Sequence, residues 1–106
     1  MRHAKRTDEN QKSIVNELRS YGFTVDITSN IGNGFPDAIV SKNHRAIGVE
    51  IKNIGKRKQL TDKEIKFRCL WVDLGMTYIV AETTKEILYE FKKMNRLKDI
   101  LSDVKK

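Results

Sequence analysis

The chain has 106 residues, 39% hydrophobic and 33% charged, and its 21 Lys and Arg against 14 Asp and Glu give a formal charge of +7. That length suits one domain with a thin core under a charged surface, and the periodic placing of the aliphatic residues sets it apart from a disordered chain. Its single cysteine, Cys69, excludes an intrachain disulfide and a Cys/His zinc cluster, no apolar run approaches the roughly 18 residues that span a bilayer, and the opening residues are not those of a signal peptide, so a reducing cytoplasm is expected.

A first helix is predicted over residues 8–21, capped by Thr7 or Asp8, with Asp8 and Glu9 at the positive end of its dipole and Gly22 as its stop. Its apolar stripe is Ile14, Val15, Leu18 and Tyr21, continued by Gln11. Phe23, Val25 and Ile27 alternate with polar residues, as a half-buried strand does. A loop rich in Gly and Asn, residues 29–34, runs to the bend at Pro36. A short strand over 38–40, a turn over 41–45 and a strand over 46–52 then form a hairpin. In its second strand Ile47, Val49 and Ile51 share one face, and Gly48, Glu50 and Lys52 the other.

After a basic loop, Thr61 and Glu64 have the spacing of a capping box, opening a second helix to about Leu74. That helix carries two apolar stripes: Ile65, Cys69 and Val72, and Phe67, Leu70, Trp71 and Leu74. One can cover a sheet; the other needs the C-terminal helices or a second subunit. A fourth strand over 77–81, a helix over 84–93 with Ile87, Leu88 and Phe91 inward, and a short terminal helix bearing Leu97, Ile100, Leu101 and Val104 complete the order. The fold class is α/β, with the third and fourth strands parallel because a helix joins them.

The chemistry gathers at the hairpin. Glu50 and Lys52 leave one strand face together, and Asp37, just past Pro36, reaches the same patch from the neighbouring strand. Two carboxylates with the Ile51 carbonyl make the oxygen-rich partial shell that Mg²⁺ completes with water and phosphate, and Mn²⁺ suits the same donors. Lys52 beside them would polarise a water or steady the charge that develops on phosphorus. An isolated Glu-x-Lys is ordinarily just the exposed face of an amphipathic strand. Here Asp37 and the basic balance weigh against that, because basic surface is rewarded by counterion release from nucleic acid. Basic residues gather at positions 2–6, at Lys56, Arg57 and Lys58, and along a tail from 92 to 106. The triplet is placed to grip phosphates, and the small loop residues Asn33 and Gly34 to approach the backbone closely. His3 and His44 are read as exposed bystanders, and Trp71 and Phe67 as core or dimer contacts.

Pro36-Asp37 followed by Glu50-Ile51-Lys52 resembles the signature of the PD-(D/E)xK nuclease superfamily. The stretch from Arg6-Thr7-Asp8 through Gly34-Phe35-Pro36-Asp37 and Val49-Glu50-Ile51-Lys52 to Leu60-Thr61 is similar to small phage-type and VRR-Nuc-like nucleases. Ile14-Val15, Leu18-Arg19 and Gly22-Phe23 add a likeness to archaeal Holliday-junction resolvases, and the resemblance covers residues 6–91. It implies a restriction-endonuclease-like αβββαβ core with a mixed four-stranded sheet. It also implies a Mg²⁺-dependent DNA endonuclease in a bacterial cell or phage-infected host, with no small-molecule cofactor and no membrane. Asp37, Glu50 and the Ile51 carbonyl would bind the metal, with Lys52 as the catalytic lysine. Where many members carry an acid on the first helix this chain has Gln11, which implies one firmly held metal. Where VRR-Nuc-like members have a glutamine on the second helix it has Glu64. A homodimer is expected from the uncovered stripe. The competing expectations are a nucleic-acid-binding module derived from a nuclease fold, which does not cut, and an adaptor whose basic tail binds an acidic protein.

Overall fold

The computed structural model describes the backbone of residues 9–104 and the side chains of residues 9–96. The expected caps Thr7 and Asp8, the basic run before them, and the side chains of Leu97, Ile100, Leu101 and Val104 lie outside the described residues. The elements follow as α1 (Gln11–Ser20), β1 (Thr24–Ile27), β2 (Ala38–Lys42), β3 (Arg45–Ile51), α2 (Asp62–Asp73), β4 (Tyr78–Ala81) and α3 (Thr84–Val104). The chain is thus an α/β protein with a mixed four-stranded sheet in the order β1-β2-β3-β4, antiparallel except for the β3–β4 pair.

α1 begins two to three residues later than expected. Asn10 stands at its N-cap without a side-chain cap bond, and no acid occupies the first turn. Its end is as predicted: Gly22, at φ +87°, lets the Gly22 amide bond the Arg19 carbonyl and the Phe23 amide the Leu18 carbonyl. The hairpin is tighter than expected. β2 runs on to Lys42, and only Asn43 and His44 turn the chain, at φ 53° and 66°. Paired positive φ is the geometry that matches strand twist, and Asn tolerates it best among residues with side chains.

The even–odd alternation of the strands divides the sheet into two unlike faces. Ala38, Val40, Ile47, Val49, Ile51 and Ala81 point towards α1 and α3, where Ile14, Val15, Leu18, Ile87 and Phe91 close the core. Full burial of such a side chain contributes roughly 1.5–3 kcal/mol, so this face carries most of the fold's stability. Two expected members are missing: Tyr21 and Ile27 are about half exposed, at the end of α1 and on the edge strand. α3 is one helix through Val104, not two, because residues 92–96 contain no Gly or Pro to interrupt it.

α2 covers the opposite face. Trp71 lies on Gly48, where a Cβ would come within 2.4 Å of the indole, and Phe35, Phe67, Trp71 and Tyr78 form one aromatic layer with ring separations of 5.3 to 6.4 Å. Phe67 and Trp71 therefore face the sheet. Leu70 and Leu74, read as part of the same stripe, are exposed, as are Ile65, Cys69 and Val72 of the other. The long α3 does not cover them.

Candidate functional site

The site forms where the β2–β3 ladder breaks. One step beyond the last pair, Ala38 with Val49, the register sets Asp37 across from Glu50. The next partner in that register for the Ile51 amide would be Pro36. The Pro36 carbonyl instead accepts the Thr28 hydroxyl at 2.7 Å, and the ring has no N–H to continue the ladder. The Asp37 carboxylate takes over: its Oδ2 accepts the Ile51 amide at 2.8 Å, while the Asp37 carbonyl accepts the Thr28 amide. A strand residue presents its N–H and C=O to the same side. The Gly48 and Lys52 amides bond β4, so the Ile51 carbonyl lies on the Asp37 side.

Three carboxylates are buried here: Asp37 at 4% exposure, Glu50 at 1% and Glu64 at 4%. The Lys52 ammonium lies between two of them, 3.5 Å from Glu50 Oε2 and 3.3 Å from Glu64 Oε1. Glu64 reaches the site from the first turn of α2, where it also completes the expected capping box with Thr61. Glu64 therefore caps the helix and contacts Lys52 at once. Burial pushes the Glu64 carboxyl up, but hydrogen bonding from Glu50, the Thr61 amide and the Lys52 charge outweigh it and hold the group at about 2.

This donor set fits a divalent cation. Three buried carboxyl groups share this patch with the Lys52 ammonium. Asp37, Glu50 and the Ile51 carbonyl supply hard oxygens from two adjacent strands. Among the described residues no group of three or more His, Cys, Asp or Glu side chains forms a ready-made metal cage. Two carboxylates and a carbonyl are instead the open arrangement that Mg²⁺ completes with water.

Gln11, 6% exposed, comes to the Asp37 side of this cluster. Its amide donates to Ser29 Oγ at 3.5 Å, next to the Thr28 that holds Asp37, and its Oε1 is buried without a hydrogen-bond partner. The loop residues Asn33 and Gly34 also pack against α2. A Cβ on Gly34 would meet the Lys63 carbonyl at 2.2 Å, so this glycine lets the loop pack on the first turn of α2. Asn33, at φ 55°, accepts from Lys63 Nζ at 3.5 Å.

The basic triplet is not uniform either. The Arg57 guanidinium is held by Glu82 and Glu86 at 3.1 and 2.6 Å, and its amide bonds Glu82 as well, which draws its charge into an ion-pair cluster and raises its pKa further. Arg57 thus fastens the loop to the start of α3, while Lys56 and Lys58 stay exposed.

Asn10 was not singled out from sequence. Its side-chain amide donates to the carbonyls of Lys52 and Glu82 at 2.8 and 2.9 Å, tying α1 to the ends of β3 and β4 beside the site. An Asn before a helix reads as an ordinary cap, so nothing local announces this role. A cavity of about 580 Å³ lies at the far end of the sheet, lined by Tyr21, Phe23, Lys42, Leu88 and Phe91 among others. It shares no residue with the carboxylates.

Among the described residues no helix is long and apolar enough to cross a membrane. In comparisons with protein-family models, curated proteins and solved structures, nothing matches this chain.

Proposed function

We propose that this chain is a Mg²⁺-dependent DNA endonuclease of the PD-(D/E)xK superfamily, built on a restriction-endonuclease-like core. The observation that carries the reading is the pairing of Asp37 with Glu50 across the broken ladder, with Lys52 in ion-pair contact with Glu50. Asp37, Glu50 and the Ile51 carbonyl would hold the cation, which would supply Lewis acidity at the scissile phosphate and a more acidic attacking water. The chain's own residues do the positioning. The Ile51 amide fixes Asp37 Oδ2, which leaves the carboxylate a single orientation towards Glu50. Lys52 Nζ, held between Glu50 and Glu64, is the cation that orients a water or steadies the developing negative charge. Lys56 and Lys58 bear on flanking phosphates. The exposed stripe of α2 suits a second copy of the chain, and two active sites are what cleavage of paired or branched strands requires.

Supercoiled plasmid incubated with Mg²⁺, Mn²⁺ or chelator tests this: nicking with either metal, none with chelator and none by Asp37→Ala is the expected pattern. Duplex, flap and four-way-junction substrates then resolve structure selectivity. A second reading, a nuclease-derived module that binds nucleic acid without cutting, is favoured by Gln11 where many nucleases of the superfamily carry an acid. Binding by wild type and Asp37→Ala alike, with intact plasmid in both cases, would establish it.

A further inference from the structure

The cavity at the far end of the sheet has a lining of its own chemistry, well away from the carboxylates. Lys42, which lines it, lies five residues along β2 from Asp37, about 17 Å at ~3.4 Å per residue. One stripe of α3 supplies a wall, because Lys85, Leu88, Tyr89 and Lys92 recur at helical spacing. Phe23 and Phe91 are the buried part of the lining, their rings edge to face at 4.9 Å. Tyr21 and Tyr89 line the same space but are 51% and 65% exposed, so ring surface is open to solvent. Lys42 is held in place: its Nζ donates to the Tyr21 carbonyl at 2.8 Å and lies 4.7 Å from the centre of the Phe23 ring.

The cavity does not end at the hairpin. A neighbouring depression of about 310 Å³, lined by Ser41, His44 and Arg45 among others, shares Lys42 and Asn43 with it, so the two make one track around the turn. Among the described residues no Asp or Glu lines either depression, whereas Lys42, Arg45, Lys85 and Lys92 do. Open aromatic rings beside cations along an acid-free groove suit an unpaired nucleic-acid strand, since each base offers a ring face and each linkage a charge. A duplex keeps its bases stacked on one another and presents no such face. A small apolar anion would fill the ringed end and leave the polar extension past Asn43 unused. We propose that this track binds single-stranded DNA, with bases stacking on Tyr21 and Tyr89 and phosphates meeting the four cations. The choice of DNA rests on the endonuclease reading; the fit to an unpaired strand does not.

The experiment measures fluorescence anisotropy of a labelled oligothymidylate of about 12 nucleotides, in chelator, beside a duplex of the same length. Tyr89→Ala is expected to weaken oligothymidylate binding about tenfold, Tyr89→Phe to bind as wild type, and duplex affinity to stay level in both. Lys85→Gln with Lys92→Gln should flatten the salt dependence by about 0.7 unit per lost contact. Lys12→Gln with Lys66→Gln, which removes as much charge from exposed positions on α1 and α2, should leave it as in wild type. No binding by wild type overturns the proposal, as does equal affinity in Tyr89→Ala or an equal loss on the duplex. Displacement by thymidine monophosphate at a matched nucleotide concentration overturns it too, and marks a mononucleotide pocket. Tyr89→Ala that binds oligothymidylate normally but no longer self-associates gives the surface to a second copy of the chain. Plasmid nicking in Mg²⁺ reports separately: wild type that never nicks, yet binds oligothymidylate through Tyr89, sinks the endonuclease reading and leaves the strand site standing.

Discussion

The two faces of the sheet are built on opposite principles. Towards α1 and α3 the side chains are aliphatic, fully buried and free of charge, so every contact adds to stability. Towards α2 the same strands carry Gly48, Glu50 and Tyr78, and the covering helix contributes Glu64 beside its aromatic rings. Buried carboxylates and a Tyr78 hydroxyl without a hydrogen-bond partner are poor ways to stabilise a protein, since apolar residues of similar volume usually do as well or better. One face therefore holds the fold and the other carries the candidate site. The difference is legible because both are read off one set of strands.

Substitutions should separate the faces. Leu18→Ala or Ile87→Ala, in fully buried core positions, should lower the unfolding free energy by roughly 2–5 kcal/mol in denaturant titrations. On the other face Gly48→Ala drives a methyl group into Trp71 and Pro36, and a loss of about 1–3 kcal/mol is expected. Equal tolerance at Gly48 and at an exposed position would show that α2 does not lie on the sheet as described.

Acid titration sharpens the contrast. Glu64 is held at about 2 against an ordinary 4.5, so its contribution is complete above 4.5 and is lost as pH falls towards 2. The Tm of wild type should therefore fall more steeply through that window than the Tm of Glu64→Gln, which keeps a capping side chain but no charge. Parallel pH curves would contradict the ion pair with Lys52. The smallest effect belongs to the loop: in DNA binding, losing Lys56 or Lys58 should flatten the salt dependence by about one unit per lost phosphate contact. Arg57→Gln should flatten it less, because Glu82 and Glu86 already hold that charge.

Local signals carried much of this. Period-two alternation placed Glu50 and Lys52 together, the Pro36 bend brought Asp37 to them, and Thr61 with Glu64 announced the start of α2. What was not legible depended on partners distant in the chain. Arg57 finds its carboxylates 25 and 29 residues away, and Asn10 bridges carbonyls 42 and 72 residues away. The two stripes of α2 were visible, but which residues would meet the sheet depended on the space above Gly48, which Trp71 occupies. The continuous α3 was missed because the change from an apolar to a basic face near Lys92 resembles a boundary, although no residue there breaks a helix.

The most direct measurement pairs plasmid-nicking rate with thermal stability in Glu50→Gln, which replaces the most deeply buried carboxyl group by an amide of the same shape. The account predicts that Mg²⁺-dependent nicking falls by roughly a thousandfold, about 4 kcal/mol of transition-state stabilisation, while Tm stays level or rises. Nicking retained at the wild-type rate would show that this face of the sheet is not where the chemistry occurs.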